Sequence, residues 1–172
     1  DALWTMLDKQ VGAGKIRHLG LSIAKNDNLH QTSSASQVNA KTIQVVYNRL
    51  DRKPEEAVFA SCEELDLGVL ARVPLASGYL SGKYKPGAVF AGNDVRHRHD
   101  PEHVKNLLQQ VEEIQRTEVP EGVDMAQWAL AWCLNHPAVT AVIPGSKSPA
   151  QVEANAKAAL LVRDDHPQAR PL

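Results

Sequence analysis

Apolar positions along this chain alternate between two rhythms. Leu3, Met6, Leu7 and Val11 recur at helical spacing, and Gly12 and Gly14 close that helix. Residues 16–22 read as a short strand. Residues 26–36 read as a weak amphipathic helix, left ambiguous by their Ser and Gln content. A second strand is expected over residues 43–47. Pro54, Glu55 and Glu56 open a helix whose Val58, Cys62 and Leu65 share a face. Residues 68–73 form the third expected strand, ended by Pro74. A Gly- and Pro-rich loop then runs to about Asp100, and a loop of that length in a compact domain is more often functional than idle. Val104, Leu107, Leu108, Val111 and Ile114 mark the next helix. Asp124 with Gln127 offers a capping box for another, which holds Trp128, Leu130, Trp132 and Leu134. Residues 140–143 give the fourth strand, and a helix follows from Pro149 to about Leu161. Four short apolar strands alternating with helices are the signature of parallel βαβ units, an α/β fold. The polar tail, residues 163–172, is expected to fray.

The turn after the fourth strand carries the clearest local signal. Ser148 suits an N-cap, Pro149 the first helical position, and Gln151 falls three residues after the cap. Free N–H groups in that first turn, with Lys147 beside them, suit an anion such as a phosphate. Many capped turns bind nothing, so this feature alone does not decide function.

Composition narrows the classes. The net charge of -1 gives no electrostatic reason to expect nucleic acid or an anionic membrane. Apolar runs are far shorter than a membrane span. The two cysteines, Cys62 and Cys133, lack metal-ligand spacing and fall in apolar helical patterns, so buried thiols and a reducing cytoplasm are expected. His97, His99 and His103, with Asp100, have no helical i, i+4 pair and read as solvated surface rather than a metal site. Asp51 with Arg49 and Arg52 reads as an ion-pair cluster in a loop. Trp128 and Trp132 read as core.

Four segments, in order, resemble the C-terminal half of an aldo-keto reductase: residues 14–22 (GKIRHLGLS), 44–52 (QVVYNRLDR), 74–84 (PLASGYLSGKY), and 142–146 (VIPGS) with Gln151 and Asn155. Residues 126–132 (AQWALAW) and the Asp94-to-Arg96 turn match as well, so the resemblance covers roughly residues 1–162. It implies a (β/α)8 TIM barrel of which these strands are the fifth to eighth, a half barrel, with sites on the loops after the strands. Ser22 and Gln44 match contacts to a nicotinamide carboxamide. Arg72 stands where many members stack a Tyr on the nicotinamide ring, and a guanidinium also stacks on a flat ring. Pro74, Leu75, Ser77, Gly78, Leu80, Gly82 and Lys83 match the segment over the cofactor pyrophosphate. Gly145, Ser146 and Lys147 match the region of the adenosine 2′-phosphate, and Gln151 and Asn155 the adenine end. The implied cofactor is NADP, because a cation beside that phosphate favours it over NAD.

The departures carry equal weight. Ile23 stands where an Asn usually follows the strand-end Ser. Gly145 and Gln151 stand where some members have Lys and Arg. The 78–82 loop is not a P-loop, since it is one residue short and Tyr84 replaces the required Ser or Thr. The family's catalytic Asp, Tyr, Lys and His maps to no position here, and Tyr47 is no substitute, because alternation puts it on the strand face opposite Gln44. The resemblance implies reduction of a small carbonyl substrate by a parent protein, with this chain supplying the cofactor-binding half. The alternative is a non-catalytic NADP-binding or structural module. Closing a packed barrel takes about eight strands. The expectation is therefore that the chain, which starts at Asp1 as if mid-helix, pairs with a missing N-terminal half or self-associates.

Overall fold

A computed structural model describes residues 2–162; the tail lies outside the described residues. Helix α1 (Ala2–Gly12) leads to β1 (Leu19–Ser22), then α2 (Leu29–Ser33) with a 3-10 turn, and β2 (Ala40–Val46). Helix α3 (Val58–Glu64) joins β2 to β3 (Gly68–Arg72). The long loop holds two 3-10 turns, at Ala76–Ser81 and Val95–Arg98. Helices α4 (Pro101–Thr117) and α5 (Met125–Leu134) precede β4 (Val139–Ile143), and α6 (Pro149–Ala156) ends in a 3-10 turn at Lys157–Leu161. Every expected strand is present with shifted ends. Ile16 lies outside β1, and β2 starts at Ala40 because Ala40 pairs with Leu19 across the sheet.

The strands form one parallel sheet in the order β1-β2-β3-β4. Such neighbours need a crossover each time, and helices supply it. One sheet face is covered. Ile43, Val45, Val69, Ala71 and Val139 are all fully buried there, packed with Val58, Phe59, Cys62 and Cys133 in the main core. Tyr47, one residue beyond β2, continues this row at 1 % exposure, its ring edge-on to Phe59 at 4.8 Å. The other face carries Thr42, Gln44, Val46, Leu70 and Arg72, only half-buried, with Ser22 and Ile143 exposed. A second core sits under the long loop. Tyr79, Leu80, Val104, Leu108, Val111, Ile114, Met125 and Ala129 form it.

Three readings need adjusting. Helix α1 forms as its spacing indicates, yet buries none of its residues, and Leu3 and Met6 stay exposed. Trp132 is not fully core. Its ring lies beside Tyr47, with the guanidinium carbons of Arg49 and Arg52 at 5.8 and 5.5 Å from its centroid. These arginines do not pair with Asp51. Arg49 makes a forked pair with Glu118, Arg52 makes one with Glu55, and Asp51 accepts from Asn26.

Candidate functional site

The residues singled out by sequence converge on one end of the sheet, where the strands finish. Ser22 and Gln44 are register partners at the ends of β1 and β2, and Arg72 pairs in register with Val46 below and Ile143 beside it. The Arg72 side chain reaches back across β2, so that Nη2 lies 3.5 Å from the Ile23 carbonyl. Its Nε is, among the buried side-chain nitrogens and oxygens of the described residues, the one left with no hydrogen-bond partner. A buried donor left unmatched is costly, and a ligand acceptor there would satisfy it.

The chain leaves β3 through unusual backbone. Val73 has φ 55°, a left-handed conformation rarely adopted by a β-branched residue. Asn48 holds it there: its Nδ2 donates to the Val73 carbonyl at 3.1 Å, while its Oδ1 accepts from the Leu50 and Asp51 N–H groups at 2.9 and 3.0 Å. Ala76, Ser77, Gly78 and Gly82 are also left-handed, at φ 48°, 57°, 89° and 72°. Strained backbone of this kind clusters at ligand-holding segments when the surroundings over-determine it. Sequence reasoning passed over Asn48 and Val73. An Asn followed three residues later by Asp is a turn signal, but its long-range bond to Val73 is not readable from spacing.

Within the loop the matched residues divide. Ser77 and Lys83 are exposed, and Gly78, Gly82 and Leu75 are half-buried. Leu80 is fully buried in the second core, so only its backbone can meet a ligand. Pro74 is buried at the strand end. At Gly78 an added Cβ would stand 3.1 Å from Arg96 Nη1, which explains the glycine there beyond its positive φ. Gly145, by contrast, has open space around it.

Helix α6 starts as its sequence indicates, with the Gln151 N–H donating to Ser148 Oγ at 3.3 Å. The Gln151 side chain does not close the box on Ser148. It accepts from the Lys147 N–H at 2.6 Å, which removes that donor from the set available to an anion. Asn155 Nδ2 donates to Ser146 Oγ at 3.0 Å. Ser146, Lys147, Gln151 and Asn155 are thus held in one exposed turn, and the Lys147 ammonium is its cation.

His97 and His103 are exposed as expected, and His99 is half-buried. His99 Nδ1 is 2.8 Å from the Tyr79 hydroxyl, and His97 Nδ1 lies 3.1 Å from the Phe90 carbonyl. They pin the long loop to itself. Among the described residues no group of three or more His, Cys, Asp or Glu side chains is placed to hold a metal ion. No described helix is long and apolar enough to cross a membrane. Burial raises the Cys62 and Cys133 thiols to about 11 and about 12, so both stay protonated and inert. The Tyr47 hydroxyl, pushed up by burial and then by its bond to Glu55, is also locked in its neutral form.

A parallel α/β sheet with its polar residues gathered at the strand ends is the arrangement of the α/β enzymes and binding proteins, barrels and open sheets alike, that hold ligands there. The chain belongs to the aldo/keto reductase family, whose sequence profile matches residues 1–170. An aldo-keto reductase of Schizosaccharomyces pombe, whose name carries the tag NADP(+), is 30% identical over 87% of this chain and 45% of its own length. A probable voltage-gated potassium channel subunit beta of Arabidopsis thaliana is 35% identical over 54% of this chain and 30% of its own. The chain spans about half or less of the length of the curated relatives it matches. Among solved structures, a glycerol dehydrogenase of Gluconobacter oxydans superposes with TM-score 0.73 at 24% identity, over 96% of this chain and 54% of that one. An aldo-keto reductase of Bacillus halodurans superposes with TM-score 0.64 at 26% identity, over 96% and 49%. The fold is therefore that of the TIM-barrel aldo-keto reductases.

Proposed function

We propose that this chain is the cofactor-binding half, strands five to eight, of an NADP-dependent aldo-keto reductase that reduces aldehydes or ketones. The observation that carries the reading is the convergence of Ser22, Gln44, Arg72, the 74–83 loop and the Lys147 turn on the same end of the sheet. The residues fit a dinucleotide. The unmatched Arg72 Nε offers a donor beside Ser22 and Gln44, which suits a carboxamide carbonyl or a flat ring. The left-handed 76–78 backbone, free of large side chains, lets main-chain groups approach a pyrophosphate. Lys147 supplies a cation for a 2′-phosphate. When bound, the dinucleotide supplies a hydride to the carbonyl carbon.

This chain's residues bind and orient; the proton donor comes from the half of the barrel that carries the family's Asp, Tyr, Lys and His. The half-buried sheet face, with Val46, Leu70 and Ile143 beside polar neighbours, supports a second half covering it. A fluorescence titration with NADPH and NADH tests the reading. Saturable NADPH binding, weakened about tenfold by Lys147→Ala with NADH less affected, is the expected result. No saturable binding of either dinucleotide would sink it.

A second reading, a non-catalytic dinucleotide-binding module, is favoured by the likeness to the Arabidopsis thaliana protein named as a channel subunit. Carbonyl reduction by the whole protein containing this chain separates the two.

A further inference from the structure

Arg96 is the most heavily engaged side chain of the long loop. Its Nε and Nη2 make a forked pair with Asp94 at 2.8 and 2.5 Å, and its Nη1 donates to the Ser77 carbonyl at 3.3 Å. Its guanidinium carbon lies 4.3 Å from the Tyr84 ring centroid and 4.7 Å from that of Phe90. It therefore ties three stretches of the loop: the left-handed turn at Ser77 and Gly78, the aromatic stretch at Tyr84 and Phe90, and its own 3-10 turn. Both members of the pair are largely shielded, with side-chain exposures of 13% for Arg96 and 25% for Asp94. A shielded, forked, ring-stacked arginine is a rigid contact, and lysine does not reproduce its geometry.

The Asp94 carboxyl is held well below the usual carboxylate range by its bonds from Arg96, so it stays ionised and keeps its fork on the guanidinium.

We infer that Arg96 is a positioning residue for the phosphate end of the dinucleotide: it locks the 77–84 segment in its binding shape. The inference rests on the dinucleotide reading above.

Two variants test it. Exchange of amide hydrogens in the ligand-free chain reports the geometry, with β2 and β3 as the internal standard for folding. Arg96→Gln and Arg96→Lys are both expected to exchange about tenfold faster over residues 77–92, with the two strands unchanged. Titration with NADPH and NADH reports the site, and each variant lowers both affinities by the same factor, about tenfold. Unchanged loop exchange overturns the inference. So does a loosened loop that leaves both affinities unchanged, the pattern of an arginine that only braces the loop. If Arg96→Gln also opens β2 and β3, Arg96→Lys decides by the same two readouts. Failure of the unsubstituted chain to bind either dinucleotide removes the dinucleotide reading, and this inference with it.

Discussion

The two faces of the sheet are built from alternate residues of the same strands, yet they differ in kind. The covered face is a run of fully buried aliphatics closed by helices, with Tyr47 as its polar edge. The other face mixes Leu70, Val46 and Ile143 with Ser22, Gln44 and Arg72, and none of these is fully buried. Burial of a Val or Leu side chain contributes roughly 1.5–3 kcal/mol, so of the two faces the covered one carries the stability. The open face carries the chemistry. The polar residues at its strand ends have unmet bonding capacity, most plainly at Arg72 Nε.

Substitutions on neighbouring residues break or sharpen this contrast. The largest effect is expected at Val69, fully buried on the covered face. Val69→Asp should cost more than about 4 kcal/mol, because it buries an unpaired charge. Leu70→Asn, one residue on and facing the other way, should change stability by under about 1 kcal/mol. Urea unfolding followed by circular dichroism reads both, and equal losses would erase the distinction between the faces.

Next comes Asn48, which is 3% exposed and bonded to the left-handed Val73. Asn48→Ala removes three hydrogen bonds and should cost about 2–3 kcal/mol. In the same unfolding experiment, a loss below about 1 kcal/mol would mean that Val73 is held by something else. Tyr47→Phe is milder. It deletes the 2.7 Å bond to Glu55 but leaves Glu55 with Arg52, so about 1 kcal/mol is expected.

The smallest effect is acid sensitivity at Glu55. Its carboxyl is lowered by the bond from Arg52 first, against opposition from burial. A lowered folded pKa stabilises the fold above the ordinary value of 4.5 and loses that contribution as pH falls through the folded value. Arg52 is 54% exposed, so solvent screening keeps the effect under about 1 kcal/mol. Stability measured from pH 6 down to about pH 3 should fall further in the parent chain than in Glu55→Gln, and parallel curves would contradict this.

Local chemistry made much of this structure legible. The caps at Asp124 and Ser148 follow from residue type and spacing alone. The facing of Tyr47 away from Gln44 follows from strand alternation, and the strand count from the βα rhythm. What was not legible depends on distance in sequence. Arg49 finds Glu118 and Asn48 finds Val73 only once the fold brings them together. Neighbour-based reasoning had instead paired Arg49 and Arg52 with Asp51. The left-handed Val73 escaped because a β-branched residue before proline gives no local reason to turn that way. In the candidate site, Ser22, Gln44 and Lys147 were found through family resemblance. The tie from Arg96 to Ser77 needed coordinates.

The central claim is that the ligand side of this chain is the strand-end rim of the open face. Hydrogen exchange of the chain with and without saturating NADPH tests it most directly. The account predicts slower exchange over residues 74–83 and 145–151 and at the β1 end near Ser22, with α3 unchanged. Protection confined instead to the cleft of about 380 Å³ lined by Arg49, Gln110 and Glu118, or no protection anywhere, would contradict it.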